Sequence, residues 1–208
     1  MPKKKNGYEP KKRNSFHRQR KSTILISAEG KNKTETLYLS KFSNDKYNIK
    51  FAYGNDTDPI KMLKNLFNDF KDKELNPEFG DLAICLVDAD CHIIKNQQLI
   101  TADNYAKKHK IELLVSAPCF EIWYLCHFKY STKNYNSNED VINELRQYIP
   151  DYEKTCDSIY NKLFTKIGTA IANAKKLEKH NLTLGNKIHT VSFSPSTEVY
   201  KIIEMLIY

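Results

Sequence analysis

The sequence predicts an α/β fold in which a mostly parallel four-stranded sheet carries helices on both faces and is followed by a C-terminal helical cap. Short apolar runs alternate with helical patterns through the first half of the chain, as in parallel strands joined by helices. These runs hold few polar residues, which is typical of strands buried on both faces. The second half shows helical patterns only. We therefore expect a tail at 1–21, an α/β core at 22–117 and a cap at 118–208 that packs on the core.

Four segments of the predicted core have the pattern of strands. They are 22–28 (STILISA), 47–53 (YNIKFAY), 81–87 (DLAICLV) and 111–115 (IELLV). Helical patterns lie between them at 33–42, at 96–108 and in a segment that begins at Pro59. Asp58 is expected to cap that last segment, because Asp is a common N-cap residue and proline is favoured at the first helical position.

The predicted cap consists of four helices. They lie at 118–128, at 137–148, at 158–179 and from Ser194-Pro195 onwards. In the third helix, apolar side chains recur every four residues from Ile159 to Ile171, which indicates one buried face.

The basic tail holds all of the chain's formal net charge of +8. Residues 1–22 contain nine Lys or Arg residues and one acid, whereas the remaining 24 basic and 24 acidic residues cancel. Such a cluster releases counterions from polyanions, which indicates a segment that binds nucleic acid or a membrane surface; we expect binding to DNA or RNA. A tail that only keeps the protein soluble has the same composition. The tail residues expected to contact nucleic acid are Lys11, Lys12, Arg13, Arg18, Arg20 and Lys21.

Neither a secretory signal nor a membrane span is visible, because no segment is long and apolar enough. We therefore expect a cytoplasmic protein that does not bind membranes. The five cysteines form no CxxC pair, so we expect reduced and mostly buried thiols rather than a structural zinc site.

Acidic residues follow two of the predicted strands. Glu29 comes directly after the first strand, and Asp88 and Asp90 come after the third. Ligands bind at the carboxyl ends of parallel strands, and residues i and i+2 of an extended segment point the same way. Three carboxylates in one crevice repel one another unless a cation neutralises them, and their oxygens suit Mg²⁺ or Mn²⁺. This interpretation requires that the three side chains meet with no lysine in the gap between them; otherwise these acids are ordinary turn residues or helix caps.

Four stretches of the chain match the pattern of a known family. They are EGKNKTETLY at 29–38, VDAD at 87–90, SAPCFEIWYLCHF at 116–128 and SPST at 194–197. Over most of residues 20–208 the chain resembles the RloB family, small proteins often found beside bacterial restriction and phage-defence genes. Its strand ends also resemble the Toprim domain of topoisomerases, primases and related nucleases. The chain departs from the family at Ala89, where Asp-Arg-Asp is usual, and at Ala117 and Ser194, where Asn usually precedes the proline.

The resemblance implies a Toprim-like fold with a metal-dependent phosphodiester site. Glu29 would act as general acid and base or as a metal ligand, and Asp88 and Asp90 would hold Mg²⁺ or Mn²⁺. Glu35 would add a ligand or support one, although a helix-capping role is the ordinary alternative.

Further side chains are candidates from their position near the acids. They are His92, Glu121 and His127, which would support the ligands or a proton transfer, and Lys31 and Lys33, which would contact a phosphate. The alternatives are exposed surface positions for His92 and the two lysines. For Glu121 and His127, on the aromatic helix after the fourth strand, the alternative is a hydrogen-bonded place in the core.

Three hypotheses for the function of the protein depend on these acids. The leading hypothesis is a metal-dependent nuclease that cleaves DNA or RNA in anti-phage defence. The alternative is a non-catalytic or partner-dependent Toprim-like subunit that binds nucleic acid or nucleotides. The chain has no GxxxxGK[ST] segment, so ATP-dependent control would require an ATPase or another defence-system subunit. A small-molecule phosphatase or nucleotidyl hydrolase is the third.

Overall fold

The computed structural model describes residues 20–29 and 33–208, apart from the side chain of Lys33. Four strands run parallel, as predicted. They are β1 (Ser22–Ser27), β2 (Tyr47–Phe51), β3 (Leu82–Asp88) and β4 (Glu112–Ala117). A fifth strand, β5 (Ser196–Thr197), pairs antiparallel with β4, so the prediction of a four-stranded sheet was wrong by one strand. The strand order is β2-β1-β3-β4-β5.

Helices follow the first three strands and make up most of the second half. They are α1 (Lys33–Leu39), α2 (Pro59–Asp72), α3 (Lys95–His109), α4 (Glu121–Cys126), α5 (Asn138–Leu145), α6 (Ile159–Leu163), α7 (Ile167–Thr183) and α8 (Val199–Ile207). Asp58 caps α2 as predicted, because its carboxylate accepts the Lys61 N–H at 2.9 Å. The helix predicted at 158–179 is instead two helices, α6 and α7, with a 3-10 turn at Phe164–Lys166 between them.

Alternate residues of the central strands enter two hydrophobic cores. Ile24 and Ile26 face the core formed with α1 and the second-half helices, whereas Leu25 faces the core formed with α2 and α3. This alternation buries both faces of the sheet. Trp123 and Tyr124 of α4 are fully buried in the first of these cores, so the second half of the chain is packed directly on the sheet. In the part of the chain that the structure describes, no helix is long and apolar enough to cross a membrane.

A buried carboxylate fixes the start of the sheet. Asp81, at the amino end of β3, accepts main-chain N–H groups of Thr23 at 2.7 Å and Asn76 at 2.9 Å. Arg20 donates to the same carboxylate at 2.7 Å. Burial opposes ionisation here, but these hydrogen bonds and the guanidinium lower the pKa of Asp81 below its ordinary value. Asp81 therefore joins the amino ends of β1 and β3.

A second buried carboxylate lies beside β4 and β5, at the edge of the sheet farthest from β2. Glu198, directly after β5, donates its N–H to the Val115 carbonyl at 3.1 Å and accepts the Val115 N–H at 2.9 Å. His189 lies between Glu198 at 2.8 Å and Asp103 of α3 at 2.9 Å. Burial opposes the imidazolium, but hydrogen bonds with the two carboxylates raise the pKa of His189. The cluster of Glu198, His189 and Asp103, which we call the edge clamp, ties α3 and β4 to the segment that carries β5.

Replacement of the Asp81 carboxylate should destabilise the fold. We expect Asp81→Ala to lower the free energy of unfolding at pH 7 by about 3 kcal/mol, because two N–H groups and a guanidinium lose their partner. Since the pKa of Asp81 is lower in the folded state, its stabilisation is present above the unfolded value of about 3.9 and is lost as the pH falls through the folded value. Urea denaturation at several pH values measures this. Asp45→Ala, which removes an exposed carboxylate near Lys21, is the control and should change little; equal losses in the two variants would contradict the assignment.

Candidate functional site

The carboxyl ends of β1 and β3 bring two of the predicted acids into contact. Glu29 lies two residues beyond β1, and Asp88 is the last residue of β3. Because these strands are parallel neighbours, both acids lie at the same edge of the sheet. A Glu29 carboxylate oxygen accepts the main-chain N–H of Asp88 at 3.3 Å. Glu29 and Asp88 therefore lie close together, as predicted from the positions of the strand ends.

Asp90 reaches the same place by a different conformation from the one expected. Its φ of 54° is left-handed, so the rule that residues i and i+2 of an extended segment point the same way does not apply to it. Its N–H donates to the Pro118 carbonyl at 2.9 Å, and its carboxylate accepts the side-chain amide of Asn138 at 3.1 Å. Asn138 begins α5, so the second half of the chain helps to orient this acid.

A lysine lies in the gap between Glu29 and Asp90. The Lys95 ammonium is 3.4 Å from a Glu29 oxygen and 3.1 Å from an Asp90 oxygen. Lys95 is the first residue of α3 and is buried. The expectation that no lysine would fill this gap was therefore wrong, and the condition set for the metal interpretation is not met in this arrangement: Glu29 and Asp90 pair with an ammonium and do not form an open metal site.

Two further acids lie behind Asp88. Glu35, in the first turn of α1, is 8% exposed, and Glu121, the first residue of α4, is 1% exposed. Glu121 accepts the Tyr152 hydroxyl at 3.0 Å and lies 3.7 Å from the Lys154 ammonium. We call the five acids Glu29, Glu35, Asp88, Asp90 and Glu121 the acidic centre.

Burial and mutual repulsion raise the pKa of three carboxyl groups of the acidic centre. Burial, followed by the charges of Glu35, Glu121 and the other two acids, raises the pKa of Asp88 well above its ordinary value. Burial, with the charges of Glu121 and Glu29, raises the pKa of Glu35 to about 7. Burial also raises the pKa of Glu29, where Asp90 adds to the shift and Lys95 opposes it.

The oxygen donors of the acidic centre suit a divalent cation, but the present positions of these side chains do not. All five are hard carboxylate oxygens of the kind that Mg²⁺ prefers, and among the residues that the structure describes Lys95 and Lys154 are the lysines that contact them. Within residues 20–29 and 33–208, however, no group of three or more His, Cys, Asp or Glu side chains is arranged to hold a metal ion. Binding there would require a rearrangement of side chains.

The two histidines predicted near the site have different environments. His92 is exposed and lines a cavity of about 410 Å³ together with Glu29, Asp90 and Lys95. His127 lies in the core, where Nδ1 donates to the Trp123 carbonyl at 2.9 Å and Nε2 faces the Tyr38 hydroxyl at 3.4 Å. Burial lowers the pKa of His127 to about 4. His127 is thus a neutral core residue, and its hydrogen bonds in the described structure do not reach the acidic centre.

The structure describes only some of the residues that are predicted to contact nucleic acid. Arg20 binds Asp81, and Lys21 donates to the Asn44 carbonyl at 2.7 Å. Both residues precede β1 and therefore lie near the amino ends of the strands. The acidic centre lies at the carboxyl ends. Some of the other predicted contacts lie outside the described residues, namely Lys11, Lys12, Arg13, Arg18 and Lys31, as does the side chain of Lys33.

Four polar residues that contact these acids in the described structure were not predicted from the sequence: Lys95, Asn138, Tyr152 and Lys154. For Lys95 a local signal was present, because it follows Asp90 by five residues at the predicted start of a helix. Asn138 and Lys154 come from loops and helix ends far along the chain, and no spacing in the sequence connects them to the strand-end acids.

Comparison with known proteins agrees with the resemblance found in the sequence. The family model described as RloB-like protein matches residues 24–206, which is most of the chain. No match was found among curated proteins or solved structures.

The raised pKa of Glu35 gives a pH-dependent prediction. Because the folded pKa of about 7 exceeds the ordinary 4.5, ionised Glu35 destabilises the fold increasingly as the pH rises from 4.5 to 7. Glu35→Gln should therefore raise the free energy of unfolding at pH 8 by about 3 kcal/mol and change it little at pH 4. Urea denaturation with EDTA present measures both values. The exposed Glu112→Gln is the control and should have no effect at either pH; a Glu35→Gln effect that is equal at pH 4 and pH 8 would refute the assignment.

Proposed function

This chain belongs to the RloB-like protein family, and we propose that it is a Mg²⁺- or Mn²⁺-dependent nuclease with a Toprim-like fold that cleaves DNA or RNA in anti-phage defence. The observation that carries the proposal is the acidic centre, in which five carboxyl groups from two strand ends and two helices face two lysines. A surplus of carboxylates in one crevice favours divalent cations. The order of the strand-end acids along the chain and the family resemblance support the Toprim-like fold and the defence role.

Glu29, Asp88 and Asp90 would hold the ion, with Glu35 and Glu121 behind Asp88. Once bound, such an ion polarises a phosphodiester oxygen and lowers the pKa of a water molecule. Lys95 and Lys154 supply positive charge beside these acids, as a phosphodiester substrate requires. The cavity of about 410 Å³ at Glu29 and Asp90 has the volume of a small-ligand pocket and gives room for a nucleotide.

Glu29 would serve either as a ligand of the ion or as the group that transfers a proton, the two roles that the resemblance implies. It is only partly buried and lines the cavity, so its carboxylate is accessible to a water molecule there. Burial and Asp90 raise its pKa, which makes it a stronger base than an exposed glutamate. The Asp88 N–H holds one of its oxygens in place, and Asn138 does the same for Asp90.

A partner-dependent subunit is the second candidate, and Lys95 is the observation that favours it. With the ammonium between Glu29 and Asp90, the described residues do not form a ready metal site. On this alternative, activity begins only after another subunit, such as an ATPase, rearranges the acidic centre.

Loss of the strand-end carboxylates should abolish cleavage without unfolding the protein. We expect purified wild type to cleave at least one member of a panel of single-stranded DNA, duplex DNA, RNA and tRNA with Mg²⁺ or Mn²⁺. Asp88→Asn/Asp90→Asn should lower the rate by about a hundredfold or more. Asn keeps the size of each side chain, the Asp88 change relieves repulsion from Glu35 and Glu121, and Glu29 stays as a partner of Lys95, so circular dichroism should show a folded variant. Asp45→Asn is the matched control and should cleave like wild type.

Three outcomes separate the candidates. If the double variant cleaves as fast as wild type, the acidic centre is not the nuclease site. If wild type is inert alone but cleaves after addition of proteins that co-purify with it from the native host, the partner-dependent subunit is correct. If it is inert in both conditions, the nuclease proposal is wrong.

The basic tail provides a test of substrate class. Deletion of residues 1–19 removes seven Lys or Arg residues and keeps Arg20, which the fold needs for Asp81. For a nucleic-acid enzyme, oligonucleotide binding should weaken, and the slope of log K against log salt should fall by about 0.7 to 0.9 for each phosphate that the shortened chain no longer neutralises. Fluorescence anisotropy at several salt concentrations measures this. Unchanged binding and turnover would favour the small-molecule phosphatase.

A further inference from the structure

The Lys95 ammonium takes the place of a cation at the outer side of the acidic centre. It lies 3.4 Å from a Glu29 oxygen and 3.1 Å from an Asp90 oxygen, and the side chain is 10% exposed. A buried ammonium is costly unless it is paired, and these two carboxylates provide the pairing. In return, the ammonium offsets their mutual repulsion.

The chain between Asp90 and α3 directs this lysine back onto the acids. Asp90 turns in the left-handed conformation, and the Lys95 N–H then donates to the His92 carbonyl at 2.9 Å as α3 begins. The turn therefore places a cation within one side-chain length of the carboxylate that precedes it. Lys154, the other lysine that the structure describes at these acids, contacts Glu121 and not Glu29 or Asp90.

We propose that Lys95 is the resident counter-ion of the metal-free site and that its ammonium must leave the gap between Glu29 and Asp90 before a divalent ion binds these two acids. This inference rests on the proposed function, since it concerns the same metal. A divalent ion requires carboxylate oxygens at about 2.1 Å, and an ammonium that contacts those oxygens both blocks them and repels the ion. The two cations therefore exclude each other.

The cavity beside Lys95 has room for the ammonium once it leaves the gap between Glu29 and Asp90. Lys95 lines the cavity of about 410 Å³ that also contains Thr57, Asp58 and Gln98. One Asp58 oxygen caps α2, and Asp58 is among the residues that line the same cavity. After displacement, the ammonium would lie where a substrate phosphate enters, so the counter-ion of the metal-free protein would become a phosphate contact.

Titration with Mn²⁺ in EDTA-free buffer, followed by the EPR signal of the free ion, tests the exclusion. Lys95→Met should bind Mn²⁺ about tenfold or more tightly than wild type, because a competing charge is removed. Lys95→Arg keeps the charge and should bind no more tightly than wild type. Lys107→Met, which removes a lysine paired with Asp103 outside the site, should match wild type. Equal affinity in wild type and a folded Lys95→Met would overturn the inference.

Amine labelling of wild type gives a second readout that does not depend on the folding of a variant. A small acylating reagent followed by peptide mass spectrometry should modify Lys95 slowly without metal and severalfold faster with saturating Mn²⁺, while Lys107 stays constant. Mn²⁺ binding with unchanged labelling of Lys95 would overturn the inference and leave metal-dependent cleavage standing. No Mn²⁺ binding by any variant would overturn both the inference and the metal dependence of the proposed function.

Discussion

The burial of carboxyl groups close to one another, at the carboxyl ends of β1 and β3, is the constraint on which the rest of this structure depends. The strands deliver Glu29 and Asp88, helices α1 and α4 add Glu35 and Glu121, and other neighbouring segments contribute groups that limit the repulsion. Lys95 comes from α3, Lys154 from a loop after α5, and the Asn138 amide from the start of α5. The second half of the chain is therefore part of the acidic centre as well as a cover for the sheet.

The parallel sheet was predictable because its signal is local and repeated. Three of the four parallel strands are mostly apolar runs and β2 alternates between apolar and polar residues; each lies within about two residues of its predicted bounds. β5 was missed because two residues carry no periodicity. The break between α6 and α7 was missed for a different reason: Leu163 and Ile167 are buried on either side of it, so the spacing of four continues across the 3-10 turn.

The acids of the site were predictable and their cations were not. Glu29, Asp88 and Asp90 follow from where parallel strands end, which is a property of the fold class. The lysines depend on helix starts and on a loop that returns from the second half, and composition does not specify such contacts. In the same way, the charge cluster of the tail gave no sign that Arg20 pairs with Asp81, which is 61 residues away.

The edge clamp also affects whether two molecules of this protein can pair through the edge of the sheet. β5 pairs with only two residues of β4, so part of that strand would be open to a neighbouring chain. Glu198 occupies the next ladder position with a carboxylate held by His189, and Lys201 contacts its other oxygen. A strand approaching there would have to displace a buried charge that is already neutralised. An inward-facing charge of this kind protects a sheet edge from aggregation.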